Sequence, residues 1–151
     1  MSAPIIPPGN DYPEPGRYYV FTQYGTSRAW TLQCGEHINL QNYSGYNQDQ
    51  IFLCDRVVST NKLGFVNKPT NRRILRNQFE DIRARPHGTP SVWESFSFEP
   101  QRTGGFRMSS MIRDTESPVR RVREYGESWF TINPKRANSF PLIVGVTEVQ
   151  V

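Results

Sequence analysis

Apolar and polar residues alternate at every second position in short runs along this chain. The runs in its first third are Tyr18/Val20, Trp30/Leu32, Ile38/Leu40 and Phe52/Cys54. Alternation of this kind places one side of a strand against a core and the other side in water. Turn-forming dipeptides separate the runs, among them Tyr24-Gly25, Cys34-Gly35, Ser44-Gly45 and Tyr125-Gly126. The pattern predicts an all-β chain of short strands.

The spacing of the runs repeats three times. Superimposing QIFLCDRV (50–57), ESFSFEPQ (94–101) and PLIVGVTEV (141–149) aligns Phe52, Phe96 and Val144, about 44 and 48 residues apart. The same two intervals relate two further sets, Trp30, Ile74 and Val122, and Ile38, Ile82 and Phe130. The first strands align on Tyr18, Leu63 and Phe106, and the third copy holds about five extra residues within 109–118.

Three copies of four strands predict a six-stranded barrel capped by three hairpins. One copy cannot bury its apolar face alone, whereas three copies can share a core. We expect a single domain over residues 16–151, with repeats of about 16–60, 61–103 and 104–151, after a disordered Pro-rich tail at 1–15. A β-sandwich whose strand spacing is accidental is the alternative.

Particular motifs carry a resemblance to known proteins. The first and third copies start with G-x-Y/F-x-V/M, at Gly16–Val20 and Gly104–Met108, and residues 93–98 read W-E-x-F-x-F. From about Gly16 to Val151 the chain resembles a β-trefoil of the group that holds fascin-like domains and ricin-B-type lectins. Gln50, two residues before Phe52, is similar to the glutamine of the ricin-B Q-x-W signature, which the other two copies lack. In size and pattern the chain also resembles small fungal trefoil lectins and protease inhibitors.

Composition restricts the class of protein. A length of 151 residues suits one domain, and no apolar run is long enough to cross a membrane. The first residues lack the features of a signal peptide, so we expect a cytoplasmic protein, with unconventional secretion left open. Cys34 and Cys54 alternate with apolar neighbours and are predicted to be buried free thiols.

Signals of catalysis are weak. The two histidines, His37 and His87, are not spaced to form a metal site with cysteine or carboxylate ligands. The sequence contains no nucleophile elbow, Walker loop or dinucleotide fingerprint. We therefore expect a binding protein without enzymatic activity, metal or cofactor.

Positive charge concentrates in the second half. Residues 62–136 hold 15 of the 18 basic side chains against eight acidic ones. Clusters occur at Arg72-Arg73-Arg76, Arg83-Arg85 and Arg120-Arg121-Arg123. They could steer an anionic partner such as a sulfated or sialylated glycan. Alternatively, the arginines simply point outward and pair with Glu80, Asp81, Glu124 and Glu127. Nucleic acid is not favoured, because acids lie nearby and no aromatic single-strand motif is present.

Sugar binding requires an aromatic ring beside amide or carboxylate groups, because the ring stacks on the apolar face of a pyranose. Three stretches offer this combination. The sequence predicts a carbohydrate site at the third-copy hairpin (Arg123, Tyr125, Trp129 and Asn133), with further candidates in a first-copy loop (Asn42, Tyr43, Tyr46 and Asn47) and in the second copy (His87 and Trp93, near Arg85). Trp129 is expected to point outward if Phe130 points inward.

These observations predict a lectin-like, carbohydrate-binding protein, in keeping with a defensive role. Its partners would be glycans, including anionic ones, or glycoproteins, and copies of the chain could pair into a dimer. One alternative is a protease inhibitor that presents an exposed loop, at 110–118 with Arg113 or at 66–72 with Lys68. The other is a fascin-like structural or interaction module.

Overall fold

The computed structural model describes residues 4–33, 35–86 and 88–151. The first copy contributes β1 (Tyr18–Gln23), β2 (Arg28–Leu32), β3 (Ile38–Asn42) and β4 (Phe52–Val57). The second contributes β5 (Lys62–Asn67), β6 (Arg73–Arg76), β7 (Ile82–Arg85) and β8 (Ser97–Pro100). The third contributes β9 (Phe106–Ile112), β10 (Thr115–Pro118), β11 (Arg120–Glu124), β12 (Glu127–Thr131), β13 (Ser139–Pro141) and β14 (Val144–Val149). Short 3₁₀ helices at Gln48–Gln50 and Val92–Glu94 precede β4 and β8.

Six of these strands close into a barrel. Antiparallel ladders join β1 to β4, β4 to β5, β8 to β9, β9 to β14 and β14 to β1. The antiparallel bridge between Leu63 and Phe96 completes the ring between β5 and the start of β8. The hairpins β2–β3, β6–β7 and β11–β12 lie outside this ring. The fold is the β-trefoil that the sequence predicts.

The predicted threefold register is confirmed at the fourth strands. Phe52 lies opposite Tyr19, Phe96 opposite Leu63, and Val144 opposite Phe106. These six side chains belong to one buried cluster. The same pairings show that the first-strand prediction was wrong by one residue.

Tyr19 and Phe21 face the core, and Tyr18 is only partly buried. Val20 is buried too, but it lies outside the central cluster. Four consecutive residues of β1, Tyr19–Thr22, are buried. The alternation of polar and apolar residues along this strand therefore does not show whether its odd-numbered or its even-numbered residues face the core.

The alignment of Val122 with Trp30 and Ile74 was also wrong. Val122 is buried, but it lies opposite Trp129 and outside the central cluster, which contains Val119. The reason is an enlarged hairpin. Leu32 pairs with Ile38 and Arg76 with Ile82, six residues apart in each case, whereas Arg121 pairs with Phe130, nine residues apart. The β11–β12 hairpin therefore contains three more residues than the other two and extends farther.

The rest of the insertion is not an irregular loop. Residues 109–118 form most of the hairpin β9–β10, in which Ile112 pairs with Thr115. Arg113 sits in its turn with a φ of 55°, in the left-handed region. A protease cleft that binds extended backbone would not find that conformation at Arg113. The protease-inhibitor alternative remains a prediction that this geometry does not favour.

The Pro-rich start of the chain contacts the barrel. Asn10 forms a parallel bridge with Val146, and Val146 N–H donates to the Gly9 carbonyl at 3.1 Å. Gly16 N–H donates to the Cys54 carbonyl at 2.8 Å. The sequence treats residues 1–15 as one disordered tail, whereas residues 9–11 and Gly16 pair with the backbone of β14 and β4. Backbone pairing of this kind leaves no trace in side-chain hydropathy.

Cys54 is a buried free thiol, as predicted. Burial, together with the neighbouring Asp55 carboxylate, raises the pKa of Cys54 to about 12. The thiol is therefore protonated at neutral pH. Cys34 lies outside the described residues. No helix among the residues described is long and apolar enough to span a membrane.

Aromatic rings fill the barrel, with Phe21 at their centre. Its ring centroid lies 4.9 Å from that of Phe65, 5.5 Å from Trp30 and 5.6 Å from Phe52. Phe98 is nearly parallel to it at 6.4 Å. Phe21 thus connects first-copy and second-copy strands within one shared core.

Replacing Phe21 by alanine should lower the free energy of unfolding by about 3–5 kcal/mol, because it removes a ring that contacts four others and leaves a cavity. Urea unfolding followed by tryptophan fluorescence measures the change. Phe79→Ala is the matched control, since the Phe79 side chain is 70% exposed and its loss should change stability by less than about 0.5 kcal/mol. Equal effects of the two substitutions would contradict the proposed core.

Candidate functional site

A cleft of ≈ 710 Å³ separates the first-copy hairpin β2–β3 from the third-copy hairpin β11–β12. Polar and charged side chains from both hairpins line it. They include Arg28, Gln33, His37 and Asn39 from the first copy and Arg121, Arg123, Glu127 and Ser128 from the third. The volume lies in the range typical of small-molecule sites, about 300–1,000 Å³. We name this feature the hairpin cleft.

The two hairpins are held together beneath the cleft by aromatic stacking. The rings of Trp30 on β2 and Phe130 on β12 are 4.2 Å apart and 17° from parallel, and both are buried. Arg121 Nη1 also donates to Gln23 Oε1 at 3.0 Å, which ties β11 to the end of β1. These contacts fix the spacing of the two cleft walls.

Tyr125 stands at the tip of the longer wall. It forms a two-residue turn with Gly126, and both have positive φ, 52° and 78°. The sequence predicts a turn here, and the two positive φ angles are the geometry of a type I′ hairpin turn. Glycine adopts it freely, whereas tyrosine does so at an energetic cost. The Tyr125 side chain is 100% exposed, and it lines the cleft.

An amide pair is fixed on the opposite wall. Asn39 Nδ2 donates to Gln33 Oε1 at 2.6 Å, and Asn39 Oδ1 accepts from Gln41 Nε2 at 3.3 Å. The remaining lone pairs and the Gln33 amide protons can bind hydroxyl groups.

Three guanidinium groups line the cleft. Arg28 Nη2 donates to the Leu40 carbonyl at 2.9 Å, which fixes its side chain along β3. Burial lowers the pKa of Arg121, and the positive charges of Arg123 and Arg28 lower it further. Arg123 and Arg28 therefore lie close enough to Arg121 to repel its positive charge.

The two described acidic residues of the cleft differ in their partners. Glu124 accepts from Arg136 at 2.9 and 3.0 Å and from Asn138 at 3.0 Å, and neither partner lines the cleft. The hydrogen bond from Arg136 is the main cause of the lowered pKa of Glu124. Glu127 is exposed and forms no ion pair with a described residue.

The structure separates the predicted third-copy residues. Arg123 and Tyr125 line the cleft, whereas Trp129 and Asn133 are not among its described lining residues. Phe130 points inward as expected, but Trp129 is only partly exposed. Arg136 covers its ring at 5.4 Å, and its indole N–H is buried without a described partner. Asn133 Oδ1 accepts from Lys135 N–H at 2.9 Å in a local turn.

The first-copy loop forms a separate surface. Tyr43 and Asn47 line a second, smaller pocket of ≈ 480 Å³ with the C-terminal residues 149–151. Asn47 also caps the 3₁₀ helix, because its side chain accepts from Asp49 N–H. Tyr46 is 89% exposed, and Asn42 is exposed at the end of β3. Sugar binding at this loop stays a prediction.

The second-copy candidate is occupied by contacts within the protein. Arg76 lies over the Trp93 ring at 4.1 Å, a cation–π contact that also explains the partial exposure of Trp93. Arg85 donates to both carboxylate oxygens of Glu36, at 2.9 and 3.0 Å. His87 lies outside the described residues, so its predicted role has no structural account.

The arginine clusters divide into two groups. Arg73 binds Asp55 through two hydrogen bonds, and Arg83 lies 3.7 Å from Asp81. Those arginines have partners within the protein. Arg121 and Arg123 instead reach the hairpin cleft.

Sequence reasoning missed the first-copy half of the cleft. Arg28, Gln33, His37 and Asn39 precede the third-copy wall by more than 80 residues, and no local motif marks them. The one available signal was the greater length of the third-copy hairpin, which could have indicated a cleft wall. The alignment of Ile82 with Phe130 conceals this difference in length. Among the described residues, no group of three or more His, Cys, Asp or Glu could hold a metal ion.

Comparisons with solved structures show the fold. The chain is similar to the BEL β-trefoil (TM-score 0.66, 16% identity, covering 92% of this chain and 97% of that one). It is also similar to the cytolethal distending toxin of Haemophilus ducreyi (0.64, 10% identity, 88% and 83%) and that of Actinobacillus actinomycetemcomitans (0.65, 10%, 88% and 90%). No family model matches the sequence, and no curated protein matches it.

Gln50 has a structural role. The side chain is fully buried, and its Nε2 donates to Thr31 Oγ1 and to the Asn42 carbonyl, both at 3.0 Å. Ser44 N–H donates to its Oε1 at 3.5 Å. Gln50 thus fastens the first-copy loop to β2 and β3.

Gln50→Ala should reduce the free energy of unfolding by about 1–3 kcal/mol, because it leaves buried polar groups without partners. Chemical denaturation provides the measurement, and Gln150→Ala, at an exposed position, serves as the matched control. If the two variants unfold at the same denaturant concentration, Gln50 does not fasten the loop.

Proposed function

We propose that the protein binds carbohydrate in the hairpin cleft and acts by binding, without catalysing a reaction. The observation that carries this proposal is Tyr125, a fully exposed ring at the rim of a concave polar cleft. A large apolar surface held in water on a strained backbone brings no benefit to folding. A ligand that covers the ring accounts for it.

The chemistry of the cleft suits a saccharide. A pyranose can place its apolar C–H face on the Tyr125 ring while its hydroxyl groups meet the wall formed by Gln33 and Asn39. Arg123 and Ser128 face each other across the β11–β12 ladder and supply further donors on the same wall. Aromatic stacking and several hydrogen bonds therefore converge in one place.

Other predictions from the sequence accompany this proposal. A defensive role, a cytoplasmic location and recognition of glycoproteins stay predictions. Dimerisation would strengthen binding, because single sugar contacts are weak and linked sites act together.

The test is a glycan array probed with the whole protein and with Tyr125→Ala. Loss of the stacking ring should weaken binding to every glycan that gives a signal by at least about tenfold, which corresponds to about 1.4 kcal/mol of binding free energy. Tyr46→Ala is the matched control, because that side chain is 89% exposed but does not line the cleft.

Unchanged binding by Tyr125→Ala together with loss in Tyr46→Ala would move the site to the first-copy loop. An array without any signal for the unmodified protein would contradict the proposed function.

A further inference from the structure

The hairpin cleft holds more positive charge than the protein neutralises. Arg28, Arg121 and Arg123 line it, and none of them forms an ion pair with a described carboxylate. Glu124 is committed to Arg136 outside the cleft. Glu127 is the one cleft carboxylate, among the residues described, without such a partner. Three cations thus face a single uncommitted anion.

Arg121 occupies a position that the three copies fill differently. It is equivalent to Leu32 in the first copy, which is buried, and to Arg76 in the second. Arg76 lies over the Trp93 ring. Arg121 lacks such a platform, and the only described hydrogen bond of its side chain goes to Gln23.

Placing a guanidinium at this position costs free energy. The Nε–H of Arg121 is buried without a described partner, and an unpaired buried donor destabilises a fold. Burial is the main cause of the lowered pKa of Arg121, and the nearby positive charges of Arg123 and Arg28 lower it further and add to that cost. A bound anion would offset both effects, because it would face all three cations at once.

We propose that the hairpin cleft recognises a sugar-borne oxyanion, a sulfate ester or a carboxylate, through Arg28, Arg121 and Arg123. The inference rests on the proposed carbohydrate binding and specifies its ligand class. Guanidinium groups pair with such oxyanions through two parallel hydrogen bonds, which gives geometric selectivity as well as affinity. The sugar ring then lies against Tyr125.

The distribution of charge favours a small anionic ligand over a nucleic acid. A polyanion needs a continuous basic track, but arginines beside the cleft are already paired, Arg85 with Glu36 and Arg136 with Glu124. The positive charge is therefore local.

Matched pairs of glycans provide the experiment. The 6-sulfated form of N-acetyllactosamine differs from the neutral sugar only in its sulfate ester, and the 3′-sialylated form adds a sugar residue that carries a carboxylate. Calorimetry with the whole protein gives each affinity. At least one charged form should bind about ten- to a hundredfold more tightly than the neutral one, and the comparison of sulfated with sialylated sugar identifies the preferred oxyanion. Raising the salt concentration should reduce this preference.

Arg123→Gln should abolish the preference, so that the variant binds the charged and the neutral sugar with equal affinity. Arg102→Gln is the matched control: it removes one charge at an exposed turn that does not line the cleft, so the preference should persist. Arg121→Leu restores the first-copy residue. This variant should lose the preference while its unfolding midpoint stays equal or rises, which a merely structural arginine would not show.

Three results would overturn the inference. Equal binding of neutral and charged sugars would refute it while the proposed function stands. Equal loss in Arg102→Gln and Arg123→Gln would show an effect of net charge instead of a site. Binding of a single-stranded oligonucleotide in preference to every sugar would refute both proposals.

Discussion

The stack between Trp30 and Phe130 positions everything that we propose for this protein. One ring comes from the first copy and the other from the third, and they meet at 4.2 Å inside the core. Their contact fixes two hairpins that are about 90 residues apart in sequence at a constant separation. A site built between rigid elements keeps its geometry without a ligand, so less entropy is lost on binding.

The threefold plan supplies the scaffold, and its irregularities supply the site. The β11–β12 hairpin is three residues longer than its counterparts and ends in a tyrosine with positive φ. At the base of this hairpin Arg121 stands where the first copy has Leu32 and the second has Arg76. The positive φ of Tyr125 and the buried Nε–H of Arg121, which has no described partner, each carry an energetic cost. Such departures from an otherwise consistent pattern are typical of functional positions.

Much of the fold could be predicted from the sequence, because three copies of one strand pattern leave few arrangements. The fourth-strand landmarks Phe52, Phe96 and Val144 occupy equivalent barrel positions. The errors at Tyr18 and Val122 have physical causes. Strand β1 is buried on both faces, and the third hairpin absorbs three of the extra residues that were assigned to residues 109–118.

The site was less predictable. Tyr125 and Arg123 were identified from composition and turn chemistry, both of which are local. Trp129 was expected to be exposed, but the fold of the following segment brings Arg136 over its ring. Arg28 and Asn39 join the cleft only through tertiary contacts, for which a single sequence contains no local signal.

The most direct test of the account is a ¹⁵N NMR titration of the whole protein with the sulfated or sialylated sugar that binds best. If the cleft is the site, amide shifts should change in both walls together, at Arg28 and Asn39 and also at Arg123 through Gly126. Changes confined to one hairpin, or centred on residues 43–47, would contradict a site formed between the first and third copies.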